Sequence, residues 1–151
     1  MFPLLALALQ AAAPAPRAQP PATILVEPAA MLLAACDADS DARTTRAERD
    51  DCLRRAYATA EGAGSGRVGY IAYADWARRW LGDANALPGP YEVDADGDDR
   101  ITQPELLLRF AALFDRYDVD GNGVLERAEL VTVRARAPGD EDQGRRGRRP
   151  R

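Results

Sequence analysis

The chain has no histidine, and all twenty of its basic residues are arginine. Without imidazole there is no histidine metal ligand and no histidine general base. No phosphate-cradling glycine motif, nucleophile elbow or dinucleotide fingerprint is present, and no nucleophile–base pair is legible. The chain is therefore read as non-catalytic, not an enzyme. Methionine is scarce: there are two, one of them Met1. That argues against a soft, Met-rich groove that re-packs around many partners. No segment reads as transmembrane, because the one long apolar stretch, at the N-terminus, is too short to cross a bilayer. Lysine is absent and alanine abundant, which is read as a GC-rich coding bias of bacterial type rather than a functional signal.

What the chain has is regularly spaced acid. Asp118-Val119-Asp120-Gly121-Asn122-Gly123-Val124-Leu125-Glu126-Arg127-Ala128-Glu129 satisfies every fixed position of the twelve-residue pattern D-x-[DN]-x-[DN]-G-x5-E. Asp118, Asp120 and Asn122 carry short oxygen-bearing side chains at alternate positions, and Gly123 permits a sharp turn at positive φ. The pattern recurs at Asp94–Glu105, with Asp99 in the glycine position, and at Asp37–Glu48, with Ala42 in the glycine position and Thr44 at the apolar eighth position. A non-glycine residue held at positive φ costs on the order of 1–2 kcal/mol. The same register from Glu61 keeps Gly66 and Val68 but has Ala63 and Ala72 at positions 3 and 12. The halves that begin at Met31 and Pro88 align without a gap at an offset of 57 residues, placing Leu53 on Phe110 and Tyr57 on Phe114.

These motifs resemble the EF-hand family over roughly residues 28–137. The resemblance implies an all-α fold of four helix–loop–helix units, three competent for Ca²⁺ and one, at 61–72, degenerate. It implies ligands at Asp118, Asp120, Asn122, Val124 (carbonyl), Glu126 (through water) and Glu129. It implies the same roles at Asp94, Asp96, Asp98, Arg100 (carbonyl), Thr102 and Glu105, and at Asp37, Asp39, Asp41, Arg43 (carbonyl), Thr45 and Glu48. Calcium is a hard cation taking about six to eight oxygens at about 2.3–2.6 Å, and loops of this kind supply them. Loop four is expected to bind tightest, then loop three, then loop one.

The loops are more closely spaced than is usual for paired hands, so that neighbouring units share helices. Leu106–Tyr117 contains neither glycine nor proline and reads as one helix with an apolar face at Leu106, Phe110, Leu113, Phe114 and Tyr117. Twelve helical residues span about 18 Å, whereas paired strands lie about 5 Å apart. A straight shared helix would keep loops three and four from pairing. The expectation is that loop two pairs with loop three through Val68 and Ile101, and loop one with loop four through Thr44 and Leu125. The alternative is two ordinary lobes, one–two and three–four, with a bend near Phe110. Thr45-x-x-Glu48 and Thr102-x-x-Glu105 are capping-box patterns. Pro28 suits a helix start, and Tyr73, Trp76 and Trp80 read as a core-facing stripe.

Residues 1–22 read as a secretory signal peptide followed by a flexible lead-in, residues 23–137 as the calcium-binding domain, and residues 138–151 as a disordered Arg-rich tail. The tail is basic while the formal charge of the chain is −4, so the acid is concentrated in the loops. An exported, periplasmic or secreted protein is expected. A lipobox ending at Cys36 is disfavoured because Glu27 and Pro28 interrupt the apolar run before it. Cys36 and Cys52 flank loop one, and either a disulfide or two buried thiols fits. The function expected is calcium binding without catalysis, as a buffer or calcium-stabilised module; the alternative is a calcium-dependent sensor or adaptor for a protein or envelope partner. No specific nucleic-acid partner is expected.

Overall fold

The computed structural model describes residues 23–134. The leader expected over 1–22 and the Arg-rich tail expected over 138–151 lie outside the described residues.

Helix α1 (Pro28–Ala35) starts at the proline, whose fixed φ suits a first helical position. Helix α2 (Arg46–Tyr57) opens on a complete capping box: the Thr45 hydroxyl accepts from the Glu48 N–H, and the Glu48 carboxylate accepts from the Thr45 N–H. Arg49, Leu53, Ala56 and Tyr57, which recur at helical spacing, are its buried stripe. A 3-10 turn at Ala63–Ser65 precedes α3 (Tyr70–Trp80). Helix α4 (Pro90–Val93) is a single turn, as the Pro88-Gly89-Pro90 run allows. Helix α5 (Gln103–Tyr117) runs without a break and buries Leu106, Phe110, Leu113, Phe114 and Tyr117, the face its periodicity predicts.

Six short strands accompany the helices: β1 (Thr23–Leu25), β2 (Arg43–Thr45), β3 (Val68–Gly69), β4 (Arg100–Ile101), β5 (Val124–Glu126) and β6 (Thr132–Arg134). They pair as three two-stranded ladders, β1 with β6, β2 with β5 and β3 with β4. The all-α expectation therefore fails: the fold is mixed, helices with small sheets. Two of the ladders come from the loops themselves, whose seventh to ninth residues extend and must satisfy their backbone groups in pairs. The third replaces a helix expected after loop four. Arg127–Leu130 is a turn, and the chain then extends through Val131-Thr132-Val133, whose β-branched side chains favour a strand. Fewer than four complete helix–loop–helix units are consequently present among the described residues.

The pairing itself follows the shared-helix argument. Thr44 lies opposite Leu125 in β2–β5, and Val68 lies opposite Ile101 in β3–β4, both antiparallel. Unbent α5 separates loops three and four, so each pairs with a loop from the other half of the sequence.

Ile24–Arg134 form one compact unit built around α5. Phe110 and Phe114 are fully buried together with Leu33, Leu53, Ile101 and Leu125. Each large apolar side chain so buried contributes roughly 1.5–3 kcal/mol. Trp76 meets Phe110 edge-on at 6.4 Å and donates its indole N–H to the Ala56 carbonyl at 3.0 Å. That bond satisfies its one polar atom inside the core. Tyr73 and Trp76 are buried as expected, while Trp80 is half-buried. Thr44, in the apolar eighth position of loop one, is buried because its hydroxyl donates to the Leu33 carbonyl at 3.0 Å. Cys36 and Cys52 form a disulfide with their Cα atoms 5.4 Å apart, tying the end of α1 to the middle of α2. No helix among the described residues is long and apolar enough to cross a membrane.

Candidate metal centre

Loops one, three and four share one backbone plan. Positions 4 and 6 of each take positive φ: Ser40 and Ala42 in loop one, Gly97 and Asp99 in loop three, Gly121 and Gly123 in loop four. The substitutions at the glycine position therefore leave the loop path unchanged, and Ala42, at φ 68°, carries the strain of a Cβ in the left-handed region.

That path points backbone N–H groups inward, where they fix the carboxylates. The N–H of position 6 donates to Oδ2 of position 1 in all three loops, at 3.0 Å for Ala42 to Asp37, 3.0 Å for Asp99 to Asp94 and 2.9 Å for Gly123 to Asp118. The position-3 carboxylate accepts from the N–H of position 5, at 3.2 Å for Asp39, 3.2 Å for Asp96 and 3.0 Å for Asp120. The closing glutamate is held at both oxygens: Oε1 accepts from the N–H of position 2, at 2.9 Å for each of Glu48, Glu105 and Glu129. Oε2 accepts from the N–H of position 9, at 2.8, 2.8 and 2.9 Å. The outcome is three triads, Asp37–Asp39–Glu48, Asp94–Asp96–Glu105 and Asp118–Asp120–Glu129, each offering carboxylate oxygens within 4.8 Å of one another.

The other residues expected in the sites lie alongside rather than in these triads. Asp41, Asp98 and Asn122 turn Oδ1 to the N–H of Arg43, Arg100 and Val124, at 2.8, 2.9 and 2.8 Å. Thr45 and Thr102 direct their hydroxyls to Oε2 of Glu48 and Glu105, at 2.8 and 2.7 Å. Glu126 turns its carboxylate to Arg43, its opposite number across the β2–β5 ladder, at 2.6 Å. Loop two brings no such triad together among the described residues.

These contacts are electrostatically productive. Hydrogen bonds from the Thr45 and Ala38 N–H groups hold the Glu48 carboxyl below the usual glutamate range. Burial pushes Glu105 up, but the Thr102 hydroxyl and the N–H groups of Thr102 and Ala95 together outweigh it and leave it lowered. The Tyr70 hydroxyl, then the loop N–H groups, lower Asp94 against the opposing effect of burial. Glu48, Asp94 and Glu105 are thus kept ionised and acceptor-only, as a cation site requires.

Asp118 departs from its counterparts. Its side chain is 3% exposed, and its Oδ1 is buried with no hydrogen-bond partner. Oδ1 of Asp37 accepts from Asp41 at 3.2 Å and Oδ1 of Asp94 from Gly97 at 2.8 Å. A buried carboxylate oxygen without a partner is strongly unfavourable unless something positive or a donor faces it. That unmet oxygen is on a residue that forms a triad with Asp120 and Glu129.

Sequence reasoning missed one set of contacts. In loops one, two and four the residue at position 10 reaches the position-1 carboxylate of the loop paired with it. Arg127 donates to Oδ2 of Asp37 at 2.9 Å, Arg46 lies 3.6 Å from Oδ2 of Asp118, and Tyr70 donates to Oδ2 of Asp94 at 2.7 Å. The signal was available: aligned loops put a donor at this position each time. Only the pairing shows what the donor meets.

Comparison with family models, curated proteins and solved structures finds no match to this chain. The functional reading accordingly stands on the geometry above.

Proposed function

We propose that this protein is a calcium-binding module of EF-hand type, non-catalytic, in which the ion stiffens the structure or is buffered. The observation that carries the reading is the unpartnered, buried Oδ1 of Asp118, a residue of the Asp118–Asp120–Glu129 triad. Support comes from the donor set, which is all oxygen and largely carboxylate; it favours a hard cation over zinc or copper, which prefer nitrogen and sulfur. The spacing of the loops favours calcium over magnesium, because twelve-residue loops of this pattern give the larger, more flexible cage. Val124, Arg100 and Arg43 would add their carbonyls.

A stiffening or buffering role is supported by the ways the helices are tied. The Cys36–Cys52 bond joins the helices on either side of loop one. Helix α5 leaves loop three and enters loop four as one rod. Neither arrangement favours the separation of helices by which a sensor exposes a groove. The disulfide also fits an oxidising compartment such as the periplasm or the exterior.

The test is calorimetric titration of the full chain with calcium, alongside Glu129→Gln and Glu105→Gln variants. The reading requires heat that is partly lost in each variant. If the unaltered protein takes up no calcium, or if both variants bind as it does, the site assignment is wrong.

A further inference from the structure

Loop two lacks the carboxylates to hold an ion, yet it is folded against loop three by more than its strand. Its Val68 and Gly69 pair with Ile101 and Arg100. Arg67 donates to Oδ2 of Asp98 at 3.2 Å. Tyr70 donates its hydroxyl to Oδ2 of Asp94 at 2.7 Å. The Tyr57 hydroxyl, at the end of α2, reaches the carbonyls of Ile101 at 2.9 Å and Gly66 at 3.1 Å, clamping both loops from below.

The Tyr70 contact selects between the two oxygens of Asp94. Oδ2 accepts from Tyr70 and from the Asp99 N–H, whereas Oδ1 accepts from the Gly97 N–H at 2.8 Å. A carboxylate held by two donors on one oxygen has its rotamer fixed and presents the other oxygen to a ligand. Groups that orient a metal ligand in this way typically change affinity about 10–100-fold when removed. The ring of Tyr70 is separately supported, edge-on to Tyr91 at 4.9 Å, so ring and hydroxyl have distinguishable parts.

We propose that loop two serves as the positioning half of a calcium site in loop three, its Tyr70 hydroxyl fixing which oxygen of Asp94 faces the ion. The proposal rests on the calcium reading of loop three. Loops one and four use the same register with arginine: Arg127 sits on Asp37 and Arg46 near Asp118. In that pair the two loops position each other. In the other pair the service runs one way, because loop two offers no triad for Gln103 of loop three to hold.

The test uses full-length protein carrying Glu48→Gln and Glu129→Gln, so that calcium heat reports loop three. Adding Tyr70→Phe, which keeps the ring and removes the hydroxyl, is expected to weaken that binding about tenfold. In the otherwise unaltered chain Tyr70→Phe should leave affinity at loops one and four unchanged. Tyr70→Phe binding within twofold of its parent would overturn the proposal. So would an equal loss at all three loops, which would mark a global packing effect. If the Glu48→Gln, Glu129→Gln parent itself takes up no calcium, the reading of loop three fails before Tyr70 is altered, and the proposal falls with it.

Discussion

Thr44 and Leu125 face each other across an antiparallel ladder that joins the first acidic loop to the last. Both side chains are buried, one by its hydrogen bond to Leu33 and the other by apolar packing. This pair closes the unit: the ends of the acidic segment meet, and α5 lies between the two ladders as a strut. A disturbance in loop one is therefore expected to be felt in loop four before it is felt in loop two, its neighbour in sequence.

Ala42→Gly should stabilise loop one. Relief of the left-handed strain is worth on the order of 1–2 kcal/mol, offset by about 0.5–1 kcal/mol of added freedom in the unfolded chain. A net gain of about 0.5–1 kcal/mol in chemical denaturation is expected, with tighter calcium binding at that loop. The result contrary to this reading is a destabilised variant.

Glu126 and Glu129 should separate cleanly. Glu126 is engaged with Arg43 on an exposed surface, and such ion pairs contribute about 0.2–1 kcal/mol. Glu126→Gln should therefore weaken calcium binding at loop four by less than about fivefold. Glu129→Gln, which replaces one of the triad oxygens, should weaken it far more. Titration of the two variants side by side decides whether Glu126 belongs to the site.

The Cys36–Cys52 bond closes a segment with a sequence separation of 16. A crosslink of that length is worth about 3 kcal/mol through the unfolded chain. Replacing both residues by alanine should lower stability by about that amount and loosen loop one, which lies between them. In denaturant, alkylation should add mass only after reduction; labelling without reductant would show that the bond is absent.

Glu27 gives the acid limb of stability a specific origin. The Tyr117 hydroxyl donates to it at 2.6 Å and Arg116 pairs with it, and these contacts outweigh burial to hold its carboxyl below the ordinary value of 4.5. Burial and the same hydrogen bond raise the Tyr117 phenol to about 12. Because the folded value of Glu27 is the lower one, its contribution is complete above pH 4.5 and is lost as pH falls through the folded value. Glu27→Gln should therefore melt below the parent protein at pH 7, with the gap narrowing as pH falls below 4.5. A gap that persists unchanged into acid would assign the effect to packing instead.

Much of the site is encoded within twelve consecutive residues, which is why it is legible in the sequence. Asp118, Asp120 and Glu129 converge because the turn residues between them bend the chain, and the Thr45–Glu48 and Thr102–Glu105 boxes set the helix starts by contacts three residues apart. The apolar stripe from Leu106 to Tyr117 fixed α5 in the same local way. The length of α5 even ruled out pairing between its two loops. These features depend on near neighbours, so the chain by itself determines them.

Other contacts between distant segments were decided only by folding. That Thr132–Arg134 would form a strand in place of a helix after loop four depended on a partner at Thr23–Leu25, because an extended segment needs its backbone groups satisfied from elsewhere. Glu126 meets Arg43 because the ladder sets the two opposite each other. Arg127, Arg46 and Tyr70 acquired theirs because pairing brought position 10 of one loop onto position 1 of another. A residue's own loop determines which oxygens it offers; the loop packed against it determines which way they point.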